Sequence, residues 1–201
     1  MVTADDADYN DRRAVWNGMI DARPALIAVC ASTDDVRAAL LAARRAELAI
    51  AVRGGGHSLP GHSTCADGVV IDLSGMTEVN IDAAAGRARV GGGTTWGAFD
   101  ARAAQDGLAT TGGLIPSTGG GGLTLGGGIG WLQRRYGLAC DNLVGAQVVT
   151  AGGDVVTTDE DSVPELLWGL RGGGGNFGIV TQFEFALHPV STVIGGLMLF
   201  P

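Results

Sequence analysis

The chain has 201 residues, 46% of them hydrophobic, with a formal charge of −8 and a sequence pI near 4.7. This length and apolar content suffice for a folded core, and the negative charge disfavours a general surface for nucleic acid or anionic membranes. All 13 basic residues are arginine, which excludes a Walker-type phosphate loop and Schiff-base chemistry, because both need a lysine.

The three cysteines, Cys30, Cys65 and Cys140, stand far apart and show no CxxC spacing. This pattern argues against a zinc site or a disulfide framework and predicts free thiols in a reducing compartment. Residues 1–10 carry three aspartates and no apolar core, so they do not form a signal peptide, and no apolar run reaches the length of about 18 residues that a membrane span needs. The sequence therefore predicts a cytoplasmic protein with neither a membrane nor a nucleic-acid partner.

The first third of the chain predicts a small parallel lobe over about residues 25–75. Residues 1–24 are polar and indicate no regular element. Three short apolar runs predict strands, at 26–30, 49–52 and 69–73. Between the first two strands, Ser32 caps a helix whose apolar face includes Val36 and Leu40, which makes a βαβ unit with parallel strands.

The remainder predicts a larger, mainly antiparallel lobe over about residues 76–190. Its predicted elements are a hairpin at 78–82 and 87–90, a helix at 94–105, a second hairpin at 142–150 and 154–158, a short helix at 164–170 and an alternating strand at 179–187. The stretch 112–130 contains ten glycines, which predicts no regular element there. The expected fold class is thus α+β, in two lobes.

Glycine clusters at 53–61, 112–130 and 172–178 adjoin these strands. Successive glycines let backbone N–H groups converge on an anion such as a pyrophosphate. Tight turns alone are the alternative, but three clusters beside strands favour a cofactor site. The string Gly173 to Gly178 formally matches GxGxxG, yet a strand rather than a helix follows it, so a Rossmann dinucleotide site is rejected.

The string Arg53-Gly-Gly-Gly-His57-Ser58, with Gly61 beyond it, resembles the histidine loop of vanillyl-alcohol-oxidase-type flavoproteins, the PCMH fold. More narrowly, it resembles the berberine-bridge-enzyme-like oxidoreductases. Three further strings carry the same resemblance: Gly113-Leu-Ile-Pro-Ser-Thr-Gly119 through Gly130, Tyr136-Gly-Leu-Ala-Cys-Asp-Asn142, and Leu166-Leu-Trp-Gly-Leu-Arg through Gly178. The resemblance implies a PCMH-type FAD-binding domain over residues 20–190. Residues 191–201 are expected to begin a substrate domain, so the chain is expected to be a fragment.

The resemblance also implies which residues contact FAD. His57 is expected to bond covalently to the flavin 8α-methyl group, the loop before and after it to hold the pyrophosphate, and Ile179 and Val180 to meet the adenine end through backbone groups. The full expected set is Arg53, Gly54, Gly55, Gly56, His57, Ser58, His62, Ser117, Thr118, Gly119, Gly122, Ile179 and Val180, with no metal. Family members with two covalent links carry a cysteine at the position that aligns with Ile115, so a single link through His57 is expected.

The implied activity is that of an FAD-linked oxidase or dehydrogenase, in which the flavin accepts a hydride from a C–H bond of an alcohol, amine or sugar-like small molecule. Oxygen or another acceptor would then reoxidise the flavin. The catalytic residue stays unassigned, because Tyr9 and Tyr136 match no base position in the family. Three alternatives remain open: a non-covalent reductase of the same fold, of the UDP-N-acetylenolpyruvylglucosamine type; an FAD-binding module without its own turnover; and a structural protein without flavin.

Overall fold

A computed structural model describes residues 1–190, 192–194, 196 and 198–200 of the chain. The expectation that residues 191–201 begin a further domain therefore falls partly outside the described residues. Among the described residues, no helix is long and apolar enough to cross a membrane.

The first lobe is a three-stranded parallel sheet with helices on its two faces. Its elements are α1 (Tyr9–Arg13), β1 (Leu26–Val29), α2 (Thr33–Arg45), β2 (Ile50–Arg53) and β3 (Val69–Asp72). The strand order is β1-β3-β2, so the predicted parallel arrangement of β1 and β2 is confirmed, with β3 inserted between them. The Ser32 hydroxyl accepts a hydrogen bond from the Asp35 N–H at 3.1 Å, as expected of an N-cap.

The prediction that residues 1–24 form no regular element is wrong for α1. Tyr9 is buried and its hydroxyl donates to the Pro24 carbonyl at 2.7 Å. Val2 and Tyr9 pack together with Ile27 and Val70 on one face of the parallel sheet. This short helix forms because tertiary packing buries its aromatic residue, a cause that local polarity does not reveal.

The second lobe is a five-stranded antiparallel sheet in the order β4-β5-β9-β7-β8. Its strands are β4 (Val79–Asp82), β5 (Arg87–Gly91), β7 (Leu143–Val149), β8 (Val155–Asp159) and β9 (Ile179–Ala186), and a small separate pair joins β6 (Leu108–Ala109) to β10 (His188–Pro189). The helices of this lobe are α3 (Trp96–Ala104), α4 (Gly120–Leu125), α5 (Gln133–Tyr136) and α6 (Pro164–Leu170). Both predicted hairpins and the alternating strand are confirmed, and with them the α+β fold in two lobes.

The prediction that no regular element lies within 112–130 is wrong, since α4 occupies Gly120–Leu125. Its glycines permit contacts that a side chain would block: a Cβ on Gly121 would lie 3.1 Å from the Phe183 ring. The Thr124 hydroxyl donates to the Gly120 carbonyl at 2.7 Å. Close packing against β9 therefore overrides the weak helix propensity of glycine.

The lobes share a hydrophobic core. Val149 of β7 and Ile179 of β9 pack in one cluster with residues of β1, α2 and β3. Across the same junction, the Thr33 hydroxyl donates to Gln147 Oε1 at 2.7 Å. The two sheets thus form one packed body, and the glycine-rich stretches lie where the lobes meet.

Candidate functional site

A cleft of about 610 Å³ lies between the two lobes. Its walls come from β2, the loop that follows β2, α4, the turn before β9 and the first residues of β9. The lining is composed of glycine, apolar, hydroxyl and histidine side chains, and among the described residues it includes no arginine, carboxylate or tyrosine. The cleft therefore offers backbone groups and apolar surface rather than side-chain charge.

The loop from Gly54 to Ser58 leaves β2 at the carboxyl end of the parallel sheet, where ligands of α/β sheets commonly bind. None of its five backbone N–H groups donates a hydrogen bond to another described residue. Backbone donors that lack a protein acceptor are uncommon, and several in succession form a concave site for an anion. The positive φ of Gly56, 71°, allows the sharp turn that this loop makes.

The first two glycine loops meet backbone to backbone. A Cβ on Gly55 would lie 2.2 Å from the Gly119 nitrogen, and a Cβ on Gly119 would lie 2.3 Å from the Gly55 nitrogen. Neither position accepts a side chain. By contrast, Gly122 and Gly175 line the cleft, and a Cβ at either position would have no atom within 4 Å, so they leave open space beside the walls.

His57 lies half-buried in the cleft wall and is held from two sides. Its Nε2 is 3.1 Å from the Ser117 hydroxyl, which belongs to the second glycine loop. Its ring stacks on the indole of Trp16, with centroids 5.5 Å apart and planes inclined by 20°. Sequence reasoning did not find Trp16, which lies far from His57 along the chain, in a segment with no apolar periodicity.

Most of the residues expected to contact FAD converge on this cleft. Those that line it are Gly54, Gly55, Gly56, His57, Ser58, His62, Thr118, Gly119, Gly122, Ile179 and Val180. Ser117 contributes through its contact with His57 instead. Arg53 does not line the cleft: its guanidinium pairs with the Asp72 carboxylate at 2.6 Å and donates to the Arg12 carbonyl.

Sequence reasoning also missed residues that line the cleft from outside the expected strings. Ser63 is buried, with 6% of its surface exposed, and its hydroxyl has no hydrogen-bond partner among the described residues. Gly92, just after β5, and Phe183 of β9 complete this part of the lining. A single hydroxyl or phenyl ring in an otherwise ordinary segment gives no local signal of such a role.

Neither the position expected for a second flavin link nor any cysteine lines the cleft among the described residues. Ile115 is 54% exposed and does not line it, and neither do Cys65 and Cys140. Burial raises the pKa of both thiols, which disfavours their reactive thiolate form. Within the described part of the chain, no group of three or more histidine, cysteine or acidic side chains could hold a metal ion.

Known proteins and structures resemble this chain over most of its length. The FAD binding domain family matches residues 24–159. The solved structure of 6-hydroxy-D-nicotine oxidase from Arthrobacter nicotinovorans is 44% identical, with a TM-score of 0.92, and the alignment covers 94% of this chain and 42% of that one. Berberine-bridge-enzyme-like protein 1 of Physcomitrella patens is 31% identical, with a TM-score of 0.88, over 94% of this chain and 42% of that one.

A third solved structure, glucooligosaccharide oxidase from Acremonium strictum, is described as carrying a 6-S-cysteinyl, 8α-N1-histidyl FAD. It is 34% identical to this chain, with a TM-score of 0.87, and the alignment covers 91% of this chain and 39% of the oxidase. The chain therefore spans about two fifths of the length of the relatives that it matches.

Proposed function

The chain belongs to the FAD binding domain family, among the berberine-bridge-enzyme-like FAD-linked oxidoreductases, and on that premise we propose that it holds the flavin of an oxidase or dehydrogenase in the interlobe cleft. The observation that carries this proposal is the loop from Gly54 to Ser58, which includes His57 and whose five backbone N–H groups have no acceptor among the described residues. That donor set suits the diphosphate of a dinucleotide.

The shape of the cleft suits FAD, as do its hydrogen-bond donors. Gly122 and Gly175 leave space along the walls that a side chain would fill, and the Ser63 hydroxyl supplies a buried polar group that lacks a partner in the described part of the chain. Thr118, His62 and the backbone of Ile179 and Val180 extend the contact surface towards the two ends of the cleft. Because the described part of the lining holds no arginine, backbone dipoles would balance the phosphate charge.

We propose one covalent link, through His57. The Ser117 hydroxyl engages Nε2, which leaves Nδ1 as the ring nitrogen available for a bond. The glucooligosaccharide oxidase carries a cysteinyl link in addition to its histidyl link, but this chain has Ile115 at the position that we align with the second link. When bound, the flavin supplies the hydride-accepting chemistry, and a histidyl substituent raises its reduction potential.

The substrate class that we propose is a small molecule with an oxidisable C–H bond beside an alcohol or amine. The names of two relatives, a nicotine oxidase and a glucooligosaccharide oxidase, suggest amines and sugars as candidates. Oxygen is the first electron acceptor to test. No carboxylate or tyrosine lies in the described cleft lining, so we assign no catalytic base within these residues.

That lack of a base favours a second candidate, an FAD-binding module without turnover of its own. A non-covalent reductase of the same fold is a third, and the state of the flavin separates it from the first proposal. We also propose that the FAD-binding unit extends over residues 20–190, because β9 (Ile179–Ala186) lies in the middle of the antiparallel sheet and lines the cleft.

The decisive experiment measures flavin retention. The chain is produced with FAD, and its intact mass and visible spectrum are recorded before and after acid precipitation. We expect the wild-type protein to keep its flavin through precipitation, and His57→Ala to bind FAD but release it. His62→Ala removes another imidazole of the same cleft, one that is exposed, and serves as the control that keeps the link.

Release of all flavin from the precipitated wild-type protein would refute covalent attachment and favour the non-covalent reductase. A colourless protein that takes up no added FAD would refute the proposed function itself. Oxidation of a panel of amines and sugars by the 201-residue chain would separate an enzyme from a module without turnover.

A further inference from the structure

A segment near the N-terminus, residues 12–20, runs along the histidine loop and contacts it at several points. The Trp16 N–H donates to the Gly56 carbonyl at 3.0 Å. The Asn17 side-chain amide donates to the Leu59 carbonyl at 2.8 Å. These two bonds join the segment to the backbone of the loop at Gly56 and Leu59, on either side of His57.

The side chain of Trp16 is not held in place by burial. It is 61% exposed, whereas Trp96 in the core of the second lobe is fully buried. Its aromatic partner is the imidazole of His57, at a centroid distance of 5.5 Å and an interplanar angle of 20°. That distance lies within the range of about 4.5–7 Å typical of offset aromatic stacking.

The imidazole is therefore constrained in two independent ways. Trp16 sets the plane of the ring from one face, and Ser117 holds Nε2 at 3.1 Å from the other glycine loop. Together these contacts restrict rotation about χ2, which in an exposed histidine is broad and nearly two-fold. A ring fixed in this way presents its Nδ1 edge in one direction.

We propose that Trp16 is a positioning residue for His57, and that its indole holds the imidazole in the orientation needed for attachment of the flavin. This inference rests on the proposed covalent attachment and extends it, since nothing in the histidine loop itself fixes the plane of the ring. The effect of Trp16 on attachment acts through His57 rather than through direct contact with the reacting atoms.

The first test needs no flavin. In the apoprotein, prepared from riboflavin-limited cells, the stacked indole is expected to shift the His57 ring protons upfield in the ¹H NMR spectrum. The chain has three histidines, and loss of one signal in His57→Ala identifies the relevant one. The upfield shift should disappear in Trp16→Leu, remain in part in Trp16→Phe and be unchanged in Trp131→Leu, which removes another exposed indole.

The second test follows covalent attachment over time after FAD is added to the apoprotein. At saturating FAD, we expect Trp16→Leu to attach flavin roughly 2- to 10-fold more slowly, the factor that corresponds to the loss of one aromatic pair. Trp16→Phe should recover most of the rate, and Trp131→Leu should match the wild type. Trp16→Met, a second non-aromatic replacement, decides the matter if the leucine variant does not fold by circular dichroism.

Equal attachment rates in the wild type and in the folded non-aromatic variants would overturn the role of Trp16 while leaving the attachment intact. A wild-type protein that never attaches FAD would instead overturn the proposed link at His57, and the role of Trp16 with it. The two failures are thus distinguished by the wild-type control alone.

Discussion

At the scale of single residues, Arg53 has a different task from that of its neighbours in the glycine loop. It begins the loop, yet its guanidinium pairs with Asp72 at the end of β3 rather than lining the cleft. Asp72 is only 2% exposed and also accepts a hydrogen bond from the Ser74 N–H at 3.0 Å. The pair ties the start of the histidine loop to the neighbouring strand, so Arg53 supports the cofactor loop from behind.

The main effect of replacing Arg53 should therefore be a loss of folding stability rather than a loss of direct contact with the cofactor. Arg53→Met leaves a buried carboxylate without its partner, a loss of about 3–5 kcal/mol in the free energy of unfolding. Urea denaturation measures this value. The matched control is Arg89→Met, which breaks an exposed pair with Glu184 at 3.3 Å and should cost about 1 kcal/mol or less. Equal losses in the two variants would contradict the structural role assigned to Arg53.

At the scale of elements, the sequence predicted what depends on local pattern. The alternating apolar residues of β9 and the Ser32 cap of α2 are local signals, and both elements form as expected. The histidine loop could be predicted because its characteristic residues, Arg53 to Ser58, follow one another directly in the sequence. These features need no knowledge of what packs against them.

Other features escaped prediction because their causes are distant in the chain. Helix α4 includes Gly121, where a Cβ would lie 3.1 Å from the ring of Phe183 in β9, a contact far away in the chain. The insertion of β3 between β1 and β2 depends on a crossover that periodicity does not encode. The stacking of Trp16 on His57 joins two distant segments through one exposed ring. A single exposed residue produces no hydrophobic periodicity, so the sequence pattern could not predict this contact.

Helix α4 should show a conflict between stability and cofactor binding. Gly122 lies in this helix, and a methyl group there would meet no atom within 4 Å. Gly122→Ala should therefore raise the free energy of unfolding of the apoprotein by about 0.5–1 kcal/mol. Because the same methyl enters the cleft, the affinity for FAD should fall. Urea denaturation and FAD titration measure the two effects.

Gly55→Ala provides the contrasting control for that helix variant. Its Cβ would lie 2.2 Å from the Gly119 nitrogen, so the two loops must separate and both stability and FAD affinity should decrease. If Gly122→Ala left FAD affinity unchanged, Gly122 would not face the bound cofactor.

At the scale of the whole molecule, the shared core makes the two lobes dependent on each other. Val149 is fully buried in a cluster that includes Val69 and Ile71 of β3, although it belongs to the antiparallel sheet. Next to it, Val148 is equally buried but packs in the separate core of the second lobe. A cofactor held between the lobes depends on this junction to keep the walls of the cleft at a fixed distance.

We expect the two lobes to unfold in a single transition. Val148→Ala removes two buried methyl groups from the second lobe alone and should cost roughly 2 kcal/mol, from transfer of the lost atoms and the cavity that remains. If the lobes are coupled, native-state hydrogen exchange of the β3 amides at Val70 and Ile71 should lose protection by the same free energy, although both lie in the other lobe. Val149→Ala, at the junction itself, should have the same global effect. Unchanged exchange at β3 in Val148→Ala would mean that the lobes open independently, and FAD would then have to supply the coupling that the shared core does not.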